Sequence, residues 1–122
     1  MRAKRILIVE DTDDNRQIMR DLLSSSGFEI IEALDGLAAV KAAADLMPDL
    51  IMMDIQLPVL DGYEAMRRIR TDPAMRHIPI IAVTSYALSG DEEKARAAGC
   101  NGYIAKPFSP RQLLAIVREF LD

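Results

Sequence analysis

Five short apolar runs alternate along the 122-residue chain with five segments whose apolar residues recur at helical spacing, and that alternation leaves few folds open. The runs are RILIV (5–9), EIIEA (29–33), LIMMD (50–54), IPIIAVTS (78–85) and GYIAK (102–106). After the first, Ile18, Met19, Leu22 and Leu23 share a helical stripe that Gly27 stops. Leu37, Val40, Ala44 and Met47 share a second, with Asp35 as N-cap and Pro48 as terminator. Asp61 and Glu64 have capping-box spacing ahead of Met66 and Ile69, and Ser89 and Glu92 repeat it ahead of a segment that ends at Gly99. Ser109, Pro110 and Gln112 open a last helix with Leu113, Ile116, Val117 and Phe120 on its inner face. Strands joined by helical crossovers must run parallel, with helices on both sheet faces. The expectation is a single α/β domain over 1–122, a doubly wound (βα)5 unit around a five-stranded parallel sheet.

The bulk properties exclude several classes. A net charge of −4 offers no basic surplus to meet phosphates or anionic lipid, so neither nucleic acid nor a membrane surface is an expected partner. No apolar run approaches the roughly 20 residues of a membrane span. The stretch MRAKRILIVED is too short in apolar residues for a signal peptide. The one cysteine, Cys100, cannot form an internal disulfide, and a cytoplasmic location is the default expectation. Cys100 reads as a small packed residue and His77, in MRHIP, as an exposed loop residue; Met52 and Met53 read as core.

In a sheet of this type, ligands bind outside the carboxyl ends of the strands. Glu10 and Asp11 end the first strand, Asp54 the third, Thr84 and Ser85 the fourth, and Lys106 and Pro107 the fifth. Side by side, these strands bring three carboxylates, a hydroxyl and an ammonium to one edge. Two like charges about 4 Å apart repel by about 4 kcal/mol at an effective dielectric of about 20, so the carboxylates need a cation, the lysine or protons. Oxygen donors without nearby His or Cys select a hard cation, and Mg²⁺ with phosphoryl oxygens is the natural choice.

The stretches ILIVED, LIMMDIQLPVLDG, AVTSYAL and YIAKPFS together resemble the receiver domains of bacterial response regulators, over essentially the whole chain. The resemblance implies strand order 2-1-3-4-5. It also implies that Asp54 accepts a phosphoryl group from a histidine kinase or a histidine phosphotransfer protein. Glu10, Asp11, Asp54 and the backbone carbonyl of Gln56 would hold Mg²⁺, and Lys106 would pair with the phosphoryl group. Thr84 and Tyr103 would act as the switch, and a cis bond would join Lys106 to Pro107. By the same resemblance the chain is no turnover enzyme. It catalyses only its own phosphorylation and slow dephosphorylation, and signals to a downstream protein through the face made by helix four, strand five and helix five. Ala95, Ala97 and Ala98 are the main apolar residues of helix four, so that helix should be weakly held.

Where many relatives have two aspartates, this chain has Glu10 and Asp11. The longer Glu10 is expected to reach the metal through water, with Asp11 the closer ligand. Gln56 and Tyr86 neighbour the acceptor and are expected to tune hydrolysis of the acyl phosphate. VEDTDDNR and DIQLPVLDGYEAMR look most like small cell-division receivers and the receivers of hybrid kinases. The chain contains no output domain; Met1 just ahead of the first strand favours a stand-alone protein over an excised one.

Other classes fit less well. A haloacid-dehalogenase-type phosphatase needs a second aspartate two residues after its nucleophile, where this chain has Gln56. A flavodoxin-like carrier needs a phosphate loop after the first strand, where EDTDD would repel phosphate. A receiver that only docks partners, without phosphorylation, is the closest competitor.

Overall fold

The computed structural model describes residues 3–85 and 90–121. Five strands and five helices alternate: β1 (Arg5–Val9), α1 (Asp13–Ser25), β2 (Glu29–Ala33), α2 (Gly36–Leu46), β3 (Leu50–Asp54), α3 (Gly62–Thr71), β4 (Ile80–Thr84), α4 (Asp91–Ala98), β5 (Gly102–Ala105) and α5 (Pro110–Leu121). All pairings are parallel, in the order β2-β1-β3-β4-β5.

The central strands β1, β3 and β4 are apolar on both faces because both faces are covered. Ile6, Ile8, Leu50, Met52, Ile81 and Val83 point to one side and pack on Met19 and Leu23 of α1 and Leu113 and Val117 of α5. Leu7, Val9, Ile51, Met53, Ile80 and Ala82 point to the other, against α2, α3 and α4. The edge strands β2 and β5 are only partly covered, which is why EIIEA tolerates two glutamates.

The caps follow the sequence signals. Asp35 accepts from the Ala38 N–H at 2.7 Å and Asp61 from the Glu64 N–H at 2.9 Å. At α5 the capping box closes in both directions, Gln112 N–H to Ser109 Oγ and Ser109 N–H to Gln112 Oε1. Ser89, expected to cap α4, lies outside the described residues, as does Tyr86. The residue before α4 is Gly90 in a left-handed conformation, with no side-chain cap.

Two helix faces differ from expectation. On α1, Met19 and Leu23 are buried and Leu22 partly so, but Ile18 is exposed. On α2 the buried stripe is Gly36, Ala39 and Ala43, not Leu37, Ala44 and Met47; only Val40 of the expected set packs inward. The cause is distance. A Cβ on Gly36 would lie 1.9 Å from the Leu60 carbonyl oxygen, so α2 approaches too closely for large side chains on its inner face. Large apolar residues therefore mark the outer face of this helix.

As expected, α4 buries little beyond Ala95 and Ala98. Its C-terminal end is held by Arg70 of α3, whose guanidinium donates to the carbonyls of Gly99 (2.9 Å), Ile78 (2.8 Å) and Arg76 (3.0 Å) and to Asn101 Oδ1 (2.6 Å). Burial lowers the pKa of Arg70. Cys100 is buried in the same region, and burial pushes its thiol up, so it is a core residue and not a reactive one.

Candidate functional site

The register sets the site. Val9 is level with Met53, Asp54 with Val83, and Thr84 with Ala105. The residues that follow, Glu10, Asp11 and Lys106, therefore emerge beside Asp54 at the carboxyl edge of the sheet. Glu10 is 1% exposed and Asp54 5%, while Asp11 faces solvent. Oxygens from all three carboxylates lie within 4.8 Å of one another.

Isolated, such a cluster would oppose folding. Lys106 is the counter-charge. Its ammonium donates to Glu10 Oε1 and, at 2.9 Å, to Asp54 Oδ2. The remaining oxygens take backbone donors: Asp54 Oδ1 from the Gln56 N–H at 3.0 Å, and Glu10 Oε2 from the Thr12 N–H at 3.2 Å. Each buried carboxylate is thus fixed at both oxygens. Burial by itself would lower the pKa of Lys106, but the hydrogen bonds and charges of Glu10 and Asp54 outweigh it and hold the ammonium above its ordinary range. The peptide bond from Lys106 to Pro107 is cis.

Thr84, buried at the end of β4, lines a cleft with Gln56, Leu57, Tyr63, Asp91 and Lys94. Tyr103 of β5 is near Thr84; burial first, then Asp91 and Glu92, hold its phenol above the ordinary range, with Thr84 acting the other way. Glu10, Asp11, Asp54 and Lys106 thus form one group, with Thr84 and Tyr103 as a neighbouring pair. Gln56 contributes its backbone N–H to Asp54, and its side chain is exposed.

Two supporting residues carried no sequence signal. Arg16 on α1 donates to the Glu10 carbonyl at 3.0 Å and pairs with Asp13 and Glu32, which hold its pKa up, Asp13 most. It turns the corner from β1 into α1, a contact that no periodicity reports. Gly62, the first residue of α3, lies under the end of β3. A Cβ there would sit 2.3 Å from the Asp54 carbonyl oxygen and 2.6 Å from Ile55 Cα. Both are backbone atoms and cannot move alone. Gly62→Ala is expected to destabilise the chain by about 3 kcal/mol, the upper end for overpacking. Urea unfolding checks this; a loss below about 1 kcal/mol would show that the contact relaxes freely.

The donor set suits a hard divalent cation: three carboxylates, two of them buried, with no sulfur or imidazole in the cluster. Among the described residues no helix is long and apolar enough to cross a membrane.

Comparison with known proteins points the same way. The family described as response regulator receiver domain matches residues 6–118. The polar-differentiation response regulator DivK of Brucella anthropi is 44% identical over 118 residues, covering 97% of this chain and 96% of that protein. Its counterpart in Brucella ovis is 44% identical over 119 residues, covering 98% and 97%. Among solved structures, the receiver domain of a Pseudomonas aeruginosa sensor histidine kinase superposes with a TM-score of 0.92 at 42% identity, covering 98% of each chain; it holds a magnesium ion in its active-site cleft. The chemotaxis protein CheY4 of Vibrio cholerae gives a TM-score of 0.92 at 28% identity, covering 98% of this chain and 99% of that one.

Proposed function

The chain belongs to the response regulator receiver domain family, and from that membership we propose that Asp54 takes a phosphoryl group from a phosphohistidine and that the modified site alters protein binding. The donor is a histidine kinase or a histidine phosphotransfer protein, and the chain works in the cytoplasm. An Asp54 oxygen forms the bond to phosphorus as the phosphorus–nitrogen bond of the donor breaks. The electron pair of that bond returns to the imidazole, and the product is an acyl phosphate.

The residues of this chain prepare that transfer. Asp54 sits on a central strand with both oxygens held, so it presents one orientation to an incoming group. Lys106 already neutralises the two buried carboxylates and can transfer its pairing to a phosphoryl oxygen. Glu10, Asp11, Asp54 and the carbonyl of Gln56 would hold Mg²⁺. When bound, that ion neutralises charge on the transferred group's oxygens. Thr84 donates its hydroxyl to the phosphoryl group, and Tyr103, near Thr84, moves with it. The moving pair reshapes the surface of α4, β5 and α5, where α4 is held by small side chains. The chain is the acceptor of one transfer, with slow hydrolysis of its own acyl phosphate, tuned from the exposed Gln56 position.

The observation that most supports this reading is the shared ammonium: Lys106 bonded to Glu10 and Asp54 inside an all-oxygen cluster. The docking-only alternative has no need of that arrangement. The test is intact-mass spectrometry with a small acyl-phosphate donor. One added phosphoryl group is expected with Mg²⁺ present, and none after chelation. No adduct at short times, together with no Mg²⁺-dependent binding of beryllofluoride, would overturn the proposal.

A further inference from the structure

Among the described residues six large apolar side chains are exposed, and three of them, Leu34, Leu37 and Val59, lie at the first turn of α2 or in the loops beside it. Soluble chains scatter such residues singly; a cluster marks a contact surface. None of the three takes part in the site at the strand ends.

The turn that carries Val59 adds a second observation. The Leu60 N–H donates to the Pro58 carbonyl at 2.7 Å, which closes a three-residue turn around Val59, held at φ +69. That is the rare, strained γ-turn, and a β-branched residue is among the worst suited to it. Glycine would fit without strain. Instead the chain holds a valine there with 75% of its surface in water, which gains the fold nothing. An apolar side chain displayed at a conformational cost points to a use outside the fold.

The surface is also preformed. Gly36 packs its backbone against the Leu60 carbonyl, so the first turn of α2 and the Val59 turn move as one body. Leu37, Val40 and Val59 line a shared cleft there. A surface that needs no ordering binds at lower entropic cost.

The charges identify the occupant. The outer face of α2 carries one cation and one anion, Lys41 and Asp45, paired at 3.3 Å one helical turn apart, while Asp35, which lines the same cleft, is taken up as the N-cap by the Ala38 N–H. Two copies of α2 laid antiparallel about a two-fold axis would set Lys41 of each against Asp45 of the other. A face that is neutral and self-complementary in this way suits an identical surface better than a charged partner. The rest of the chain, at net −4, repels its copy, so the contact must be made at such a face. We propose that the outer face of α2, with Leu34, Leu37 and Val59, is a two-fold contact between copies of this chain, independent of phosphorylation.

An 11-residue helix is roughly 16 Å long, so the interface lies at the small, transient end of the size range. Sedimentation velocity on the full chain, without donor or metal, from about 10 µM to about 1 mM covers that range. A concentration-dependent rise toward the dimer mass is expected. Leu37→Asp and Val59→Asp should each weaken association about tenfold or more. Aspartate tolerates left-handed φ better than valine does, so Val59→Asp should not unfold the chain, and a thermal melt checks that. Lys41→Asp should weaken the dimer, and Lys41→Asp with Asp45→Lys should restore it. Monomer at every concentration would overturn the proposal. So would a dimer that Leu37→Asp and Val59→Asp leave unchanged, or a charge swap that fails to restore association.

Discussion

With Asp54 replaced by Asn, the chain should take up no phosphoryl group from a small acyl-phosphate donor, at any Mg²⁺ concentration. The substitution keeps the size and shape of the side chain and its carbonyl acceptor for the Gln56 N–H, the bond that fixes one Asp54 oxygen. It removes the nucleophile and one anionic donor from the three-carboxylate cluster. Two stability effects oppose each other. The bond to Lys106 weakens, and repulsion from Glu10 and Asp11 is relieved, so the net change should stay within about 1 kcal/mol. A folded variant without an adduct therefore assigns the chemistry to Asp54 itself. Intact mass gives the adduct and urea unfolding the stability. An adduct that survives in the Asp54→Asn chain would move the acceptor to another residue, with Asp11, the exposed member of the cluster, the first to examine.

Lys106→Met should have the largest effect on stability. Methionine keeps most of the length of the stem but removes the cation, leaving Glu10 and Asp54 buried beside Asp11 without their shared counter-charge. Breaking a buried ionic group by removing one partner costs about 3–5 kcal/mol, and the open edge of this site argues for about 3. The pH dependence follows from the direction of the Lys106 shift. Its folded-state pKa lies above the unfolded one, because Glu10 and Asp54 outweigh burial. Its contribution is therefore complete through the neutral range and is lost only as pH rises past the folded value, in strong alkali. The gap between the two chains should be flat around neutrality. It should narrow in alkali, as the native ammonium loses its proton. Added Mg²⁺ should narrow it as well, by supplying the missing positive charge. A gap below about 1 kcal/mol at neutral pH would show that water already screens the cluster.

Much of this was legible before any coordinates, for a physical reason. Strands buried on both faces must be continuous apolar runs, and a carboxylate or lysine directly after such a run has nowhere to lie but the sheet edge. Asp54 follows from that rule alone; Lys106, after the partly covered β5, needs in addition the parallel alternation that places every strand's carboxyl end on the same edge. The caps Asp35, Asp61 and Ser109 were legible because capping is a local contest between a side chain and the nearest orphan N–H groups. The inner face of α2 was not. Periodicity ranks residues by size and polarity, whereas what decided that face was the separation of two backbones, set by Gly36 against Leu60. Arg16, Gly62 and Arg70 were invisible for a related reason: each acts on a carbonyl or a backbone surface contributed by another element, and a single sequence does not pair them.

The bridge from Lys106 to Glu10 spans 96 residues of sequence, and its bridge to Asp54 spans 52. No fragment of the chain that stops before β5 can assemble these groups, so chemical competence arrives only with the last strand. During synthesis, a nascent chain still missing its final quarter carries the acceptor carboxylate but not the ammonium that steadies it. Under the proposed function, a kinase meeting such a chain would find a poor acceptor. Phosphorylation would then mark only molecules whose last strand is in place.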